Sequence, residues 1–216
     1  MKKCLLMIVA AVSLFAESRL DKTVVGEFFA GLRGDNDAMA RAMKTTETIL
    51  ATNPKHAEAL VWHGIGLLSQ SRQSPELFAR AQKEMEEAGQ LEPDNIGVRI
   101  PRGATYMGAG RQFAERSPEM GRAWIAKGLA DYQHVYEMRR NHLATMGEHP
   151  AGELLLGIAD ANSRLGNMDR AAEFFDRITT QLPNSEYAKR AALWKETKSL
   201  SAAQAGCIGC HVATVK

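Results

Sequence analysis

Residues 154–185 read LLLGIADANSRLGNMDRAAEFFDRITTQLPNS. Their apolar residues fall at helical spacing, and the stripe Phe174, Phe175 and Ile178 is followed by Pro183, which cannot continue a helix. The pattern of a helix stop, an Asn and a fresh helix recurs. It stands in ATNPKHAEAL (51–60), in LEPDNIGVRI (91–100) and in QLPNSEYAKR (181–190). Pro54 follows the stripe Met39, Met43 and Ile49, and Pro93 follows Met85 and Ala88. Such a text predicts a chain of helical hairpins.

Outward from this stretch the same grammar holds. Ser74-Pro75-Glu76-Leu77 and Ser117-Pro118-Glu119-Met120 each open a helix. Serine caps the free backbone N–H groups, proline occupies the first helical position where its missing N–H costs nothing, and glutamate complements the positive helix end. Two near-identical starts in one chain point to a repeated unit. Beta-branched clusters are short (Val24-Val25, Thr45-Thr46), and no Asn-Gly or Asp-Gly hairpin signal appears.

Residues 154–185 resemble a tetratricopeptide repeat. Ala159 stands at the small position of the first helix, Gly166 in the turn, Ala171 and Phe175 at the packing positions of the second helix, and Pro183 at the close. A second, slightly longer match runs from Trp62 and Gly66 through Ala81 and Ala88 to Pro93. Weaker ones cover about Thr23 to Pro54, and Ile96 onward with Gly103 and Tyr106; there the second helix runs long, from Pro118 to about Arg140. The resemblance implies an all-α fold over residues 19–200: about four helical hairpins in a short right-handed superhelix, closed by a capping helix. The segment from Ser185 to about Leu200, with Tyr187, Leu193 and Trp194, supplies that cap. Each hairpin is too thin to bury its apolar face and must stack on a neighbour, and small residues at Gly66, Gly103 and Ala159 allow close approach.

The chain begins MKKCLLMIVAAVSLFAES. Two lysines, an uncharged run from Leu5 to Phe15 and the small-x-small triplet Ala16-Glu17-Ser18 predict a secretory signal peptide over residues 1–18. The apolar run is too short to span a bilayer, so no transmembrane segment is expected after cleavage. Cys4 leaves with the leader, and two of the three cysteines remain. The expected location is the periplasm or the extracellular space.

Both surviving cysteines lie in the tail, residues 201–216, within AGCIGCHVATVK. Cys207, Cys210 and His211 form the attachment motif of c-type haem. Two cysteines three apart can each add to one vinyl group of a porphyrin edge, and the adjacent histidine then becomes the proximal iron ligand. One covalent haem c is the cofactor expected here. A disulfide between the two cysteines, a zinc half-site and a thioredoxin-like redox pair are the competing readings. Zinc would need two further ligands, and the motif neither follows a strand nor opens a helix. Only Val212–Lys216 follow the motif, too little chain to cover a porphyrin. The haem is expected to pack on the helical scaffold, on another subunit or partly in solvent. The chain as a whole also resembles uncharacterised secreted bacterial tetratricopeptide proteins that end in CxxCH.

A distal iron ligand has five histidine candidates, His56, His63, His134, His142 and His149, besides Met146 and Met168. His149 ranks first because it precedes the last full repeat. The ordinary roles are helix-terminus polarity for His56 and His149, a hydrogen-bonded packing residue for His63, and core filling for the methionines. Glu84, Glu86 and Glu87 read as a solvated acidic face, Arg139-Arg140 as complements to a helix C-terminus, and Trp62, Trp124 and Trp194 as filling between helices.

Composition narrows the classes further. Over 216 residues, 27 basic and 25 acidic side chains leave a formal charge of +2 with no clustered basic face, so no nucleic-acid partner is expected. No phosphate-binding glycine loop, no G-x-S-x-G elbow and no pair of catalytic carboxylates is present, and the chain is not expected to be an enzyme. Three functions fit. The first is an exported monohaem cytochrome that exchanges electrons with a protein partner or a neighbouring subunit. The second is a scaffold or assembly protein with a structural haem, and the third a homo-oligomer or filament whose assembly depends on haem.

Overall fold

The computed structural model describes residues 18–205. The signal-peptide reading falls outside these residues except for Ser18, and the haem-attachment residues Cys207, Cys210 and His211 fall outside them entirely. The described chain is all-α, with no strand. Its helices are α1 (Lys22–Leu32), α2 (Asn36–Thr52), α3 (Ala57–Gln70), α4 (Pro75–Leu91), α5 (Ile96–Ala114), α6 (Pro118–Arg139), α7 (Glu148–Leu165), α8 (Met168–Gln181), α9 (Glu186–Thr197) and α10 (Ala202–Ala205), with a 3-10 helix at Arg140–Thr145 after α6. Consecutive helices pack as four hairpins, α1/α2, α3/α4, α5/α6 and α7/α8, and α9 covers the last. Among the described residues no helix is long and apolar enough to cross a membrane.

The helix ends are made locally. Ser74 and Ser117 cap α4 and α6, with Pro75 and Pro118 as the first helical residues; the N–H groups of Leu77 and Met120 reach the serine oxygens at 3.2 and 3.4 Å. Gly166 ends α7 at φ 86°, a left-handed conformation that glycine adopts without a Cβ penalty. Pro101 lies inside α5, an interior position that the reading of prolines as punctuation does not anticipate.

Packing joins the hairpins into two apolar clusters. One gathers Phe28, Met43, Trp62, Ile65, Met85 and Trp124 in the N-terminal half. The other gathers Tyr132, Leu155, Ile158, Phe174, Phe175 and Trp194. All three tryptophans are buried, as expected, and each stacks on a phenylalanine: Trp62 on Phe28, Trp124 on Phe78 and Trp194 on Phe175. Tyr132 ties α6 to both α5 and α7. A Cβ at Gly103 would stand 2.7 Å from its ring and one at Gly157 2.3 Å, so both flanking helices need glycine there.

One surface assignment is corrected. Glu84 does not belong to a solvated acidic face. It is 9% exposed, and its Oε2 lies 2.5 Å from Nδ1 of the fully buried His63. Position 84 follows Ala81 by one helical turn and shares the buried stripe of α4 with Met85 and Ala88, so the carboxylate must find its partner indoors. His63 fills the hydrogen-bonded packing role expected of it. Glu86 remains exposed and pairs with Lys127 at 2.6 Å.

Candidate functional site

The end of the described chain is fixed in place although little of it is helical. Lys198 ends α9 in a left-handed conformation, φ 56°. Leu200 is then buried, and its carbonyl accepts from Arg164 Nη2 at 2.7 Å. Ser201 and Gln204 bond reciprocally: the Ser201 N–H donates to Gln204 Oε1 at 2.9 Å and the Gln204 N–H to Ser201 Oγ at 3.3 Å. This is the logic of a capping box, and it turns the chain into α10 against α7. Ala205, 7% exposed, joins the C-terminal core two residues before Cys207.

Ala205 forms part of a cleft lined also by Arg111 of α5, Tyr132 of α6, Glu153 of α7 and Tyr187 and Arg190 of α9. The cleft has room of about 20 Å³, enough for one water or a polar tip and far short of a porphyrin. Its lining is largely apolar, with Met107 and Leu156 beside charged groups of both signs. Arg111 reaches Asp160 at 3.2 Å, and Asp160 is also held by Arg164 at 2.8 Å. Glu153 Oε1 is buried with no hydrogen-bond partner among the described residues.

His149 stands in the first turn of α7 beside this cleft. Its Nδ1 lies 2.7 Å from the Tyr187 hydroxyl, and its Nε2 lies 3.7 Å from Glu153 Oε1, beyond hydrogen-bond range. Tyr187 is held in turn by packing: a Cβ at Gly152 would stand 2.3 Å from its ring. The Tyr187 hydroxyl orients the His149 ring through Nδ1, the kind of support a metal-ligating histidine has, while Nε2 is turned toward the Glu153 carboxylate. Its side chain is 55% exposed, so access is open.

The other candidates lie on other parts of the scaffold. His56 caps α3, its Nδ1 accepting from the Ala59 N–H at 3.1 Å. His63 is wholly buried in the N-terminal half. His134 Nε2 lies 2.7 Å from Asp94 Oδ1. His142 lies exposed in the 3-10 helix. Met146 packs against the C-terminal core, and Met168 opens α8 with 38% exposure. Among the described residues no three His, Cys, Asp or Glu side chains form a group that could hold a metal ion.

Sequence reasoning did not find Arg111, Glu153, Tyr187 and Arg190 as one cleft. They come from three helices, and no spacing in the sequence joins them. Comparison with protein-family models, with curated proteins and with solved structures gives no match to this chain.

Proposed function

We propose that this chain is an exported monohaem c-type cytochrome, with a tetratricopeptide-like helical scaffold over residues 19–200 and a haem-bearing tail over residues 201–216. The spacing of Cys207, Cys210 and His211 carries the reading, and the expected leader supports it independently, because haem attachment of this type belongs to the export compartment. Bound through both cysteines, haem c supplies one-electron chemistry.

The anchoring of Ala205 supports a definite place for the tail. The motif begins two residues after Ala205 and its histidine is six residues on, at most about 7 and 20 Å of extended chain, so a haem carried there would be within reach of this end. The chain's own residues fit such a group at this end. His149 would offer its imidazole to the iron, with the Tyr187 hydroxyl holding its ring. The cleft's small volume favours a haem lying on the surface rather than enclosed. That leaves an exposed edge for a redox partner or a neighbouring subunit, and it keeps haem-dependent assembly as the second reading.

The test is the intact mass and visible spectrum of protein exported from a host with cytochrome c maturation machinery. A leader-free chain plus one haem, reduced and reoxidised reversibly, supports the electron carrier. A leader-free chain two protons light, with a Cys207–Cys210 disulfide and no Soret band, overturns it. A haem-loaded monomer in sizing chromatography tells against haem-dependent assembly. His149→Ala should shift the Soret band and the potential if Nε2 is the distal donor, and leave both unchanged if the donor lies elsewhere.

A further inference from the structure

Ser18 and Leu20, just ahead of α1, are held by side chains and a backbone N–H from distant parts of the chain. The Ser18 N–H lies 3.0 and 3.1 Å from the two carboxylate oxygens of Glu92. Ser18 Oγ accepts from the Glu58 N–H at 3.2 Å, and the Ser18 carbonyl accepts from Asn95 Nδ2, also at 3.2 Å. The Leu20 N–H donates to Glu58 Oε2 at 2.6 Å, while the Leu20 side chain, 7% exposed, enters the N-terminal core.

The receiving side is built for this. Glu58, at the start of α3, is 5% exposed, and Asn95, at the corner between α4 and α5, is 2% exposed. Asn95 holds Glu92 through Nδ2 at 2.6 Å and caps α5 through Oδ1 at 2.7 Å from the Gly97 N–H. Gly97 makes room: a Cβ there would stand 1.9 Å from Glu58 Oε1. Two carboxylates therefore converge on the backbone of residues 18–20, a costly arrangement unless the donors they face are always supplied.

We propose that the leader is cut at the Ala16–Glu17 bond, so that Ser18 stays in the mature chain and residues Ser18–Leu20 fill a socket made by Glu58, Glu92 and Asn95. This rests on the export reading. The step is hydrolysis by a leader peptidase of the export machinery: water adds across the bond, Ala16 leaves with the new carboxylate, and Glu17 keeps the nitrogen as an α-ammonium. Ala16 is the small residue immediately before this cut, with the apolar Leu14 two positions ahead of it. The alternative cut after Ser18, which the triplet Ala16-Glu17-Ser18 suggests, removes the N–H, the hydroxyl and the carbonyl of Ser18 together. It leaves the Glu58 N–H without its acceptor and Glu92 without the Ser18 donor.

The experiment is mass spectrometry of the N-terminal peptide of the full-length protein recovered after export. A chain beginning at Glu17 bears the proposal out, and one beginning at Arg19 overturns it. A chain that keeps residues 1–16 overturns the export reading itself, a result separable from either. Melting of the recovered protein tests the socket without relying on the cut. Glu92→Gln keeps the shape of the side chain but removes its charge, and it should lower Tm by about 3–5 °C. An unchanged Tm overturns the socket.

Discussion

Two buried charge clusters hold neighbouring hairpins together in different ways. In α3/α4, Glu84 meets His63 at 2.5 Å and Arg80 at 2.8 Å, a pairing made inside one hairpin. In α5/α6, Asp131 is 2% exposed and takes Arg99 at 2.7 Å and Arg102 at 2.6 Å; Arg102 also donates to the Met85 carbonyl of α4 at 3.1 Å. Each cluster pairs inside its own hairpin and reaches the preceding one differently: His63 Nε2 lies 3.7 Å from the exposed Glu47 carboxylate of α2, whereas Arg102 donates to a buried backbone carbonyl of α4. Their protonation differs too. Burial alone would raise the Glu84 carboxyl, but the hydrogen bond and charge of His63, helped by Arg80, outweigh it and hold it below its ordinary range. Burial pulls the Arg102 guanidinium down, and Asp131 more than restores it, so this side of the second cluster keeps its proton throughout the working range.

The sharpest way to break this contrast is Asp131→Ala. It leaves two guanidiniums in a largely buried site without a counter-charge and should cost about 3–5 kcal/mol in urea unfolding. Gly89→Ala comes next. Its new methyl would stand 1.6 Å from Arg102 Nη1, so the arginine must leave Asp131 or α4 must move; a loss of about 1–3 kcal/mol is expected, despite alanine's better helix propensity. Combined with Asp131→Ala, the Gly89 change should cost clearly less than it does alone, as a double-mutant cycle would read.

Glu84→Gln should cost about 1 kcal/mol at neutral pH, because an amide still accepts from His63 but carries no charge. The pH dependence follows from the depressed carboxyl. The unfolded chain takes up that proton first, so the stabilisation is complete above the ordinary carboxylate range and drains away as the pH falls through it toward the folded value. The wild-type and Glu84→Gln stability curves should therefore converge in acid, and parallel curves down to the acid limit would remove this pair as the source. Smallest is Ser74→Ala. Its cap serves the same hairpin from the exposed end, and its loss should cost about 0.5 kcal/mol in thermal melting, the lower end for an N-cap.

Much of the fold was legible because its punctuation is local. Ser74-Pro75, Ser117-Pro118 and Gly166 each act within a turn of their own position, and the structure places helix ends at all three. The long second helix of the middle unit was legible for the same reason, starting at Pro118 and ending at Arg139. The candidate site was legible only in its covalent part. Cys207, Cys210 and His211 are adjacent in sequence, and that spacing is their signal. Arg111, Glu153 and Arg190 meet through three helices. His149 was singled out for its place before the last repeat, but the Tyr187 hydroxyl that orients it lies on another helix and has no sequence signature.

The sequence by itself determined where helices begin and end and which stripe of most of them is apolar, since each depends on neighbours within a few positions. Tertiary structure decided which charges go inside. Glu84 reads as part of a solvated run and is buried, and Asp131 gives no warning of its two arginines, because the partners of a buried charge come from helices whose relative rotation only packing sets. It also supplied the argument about Ser18. Nothing in its local sequence announces the groups that hold it; Glu58, Glu92 and Asn95 come together only when α3 has docked against α5.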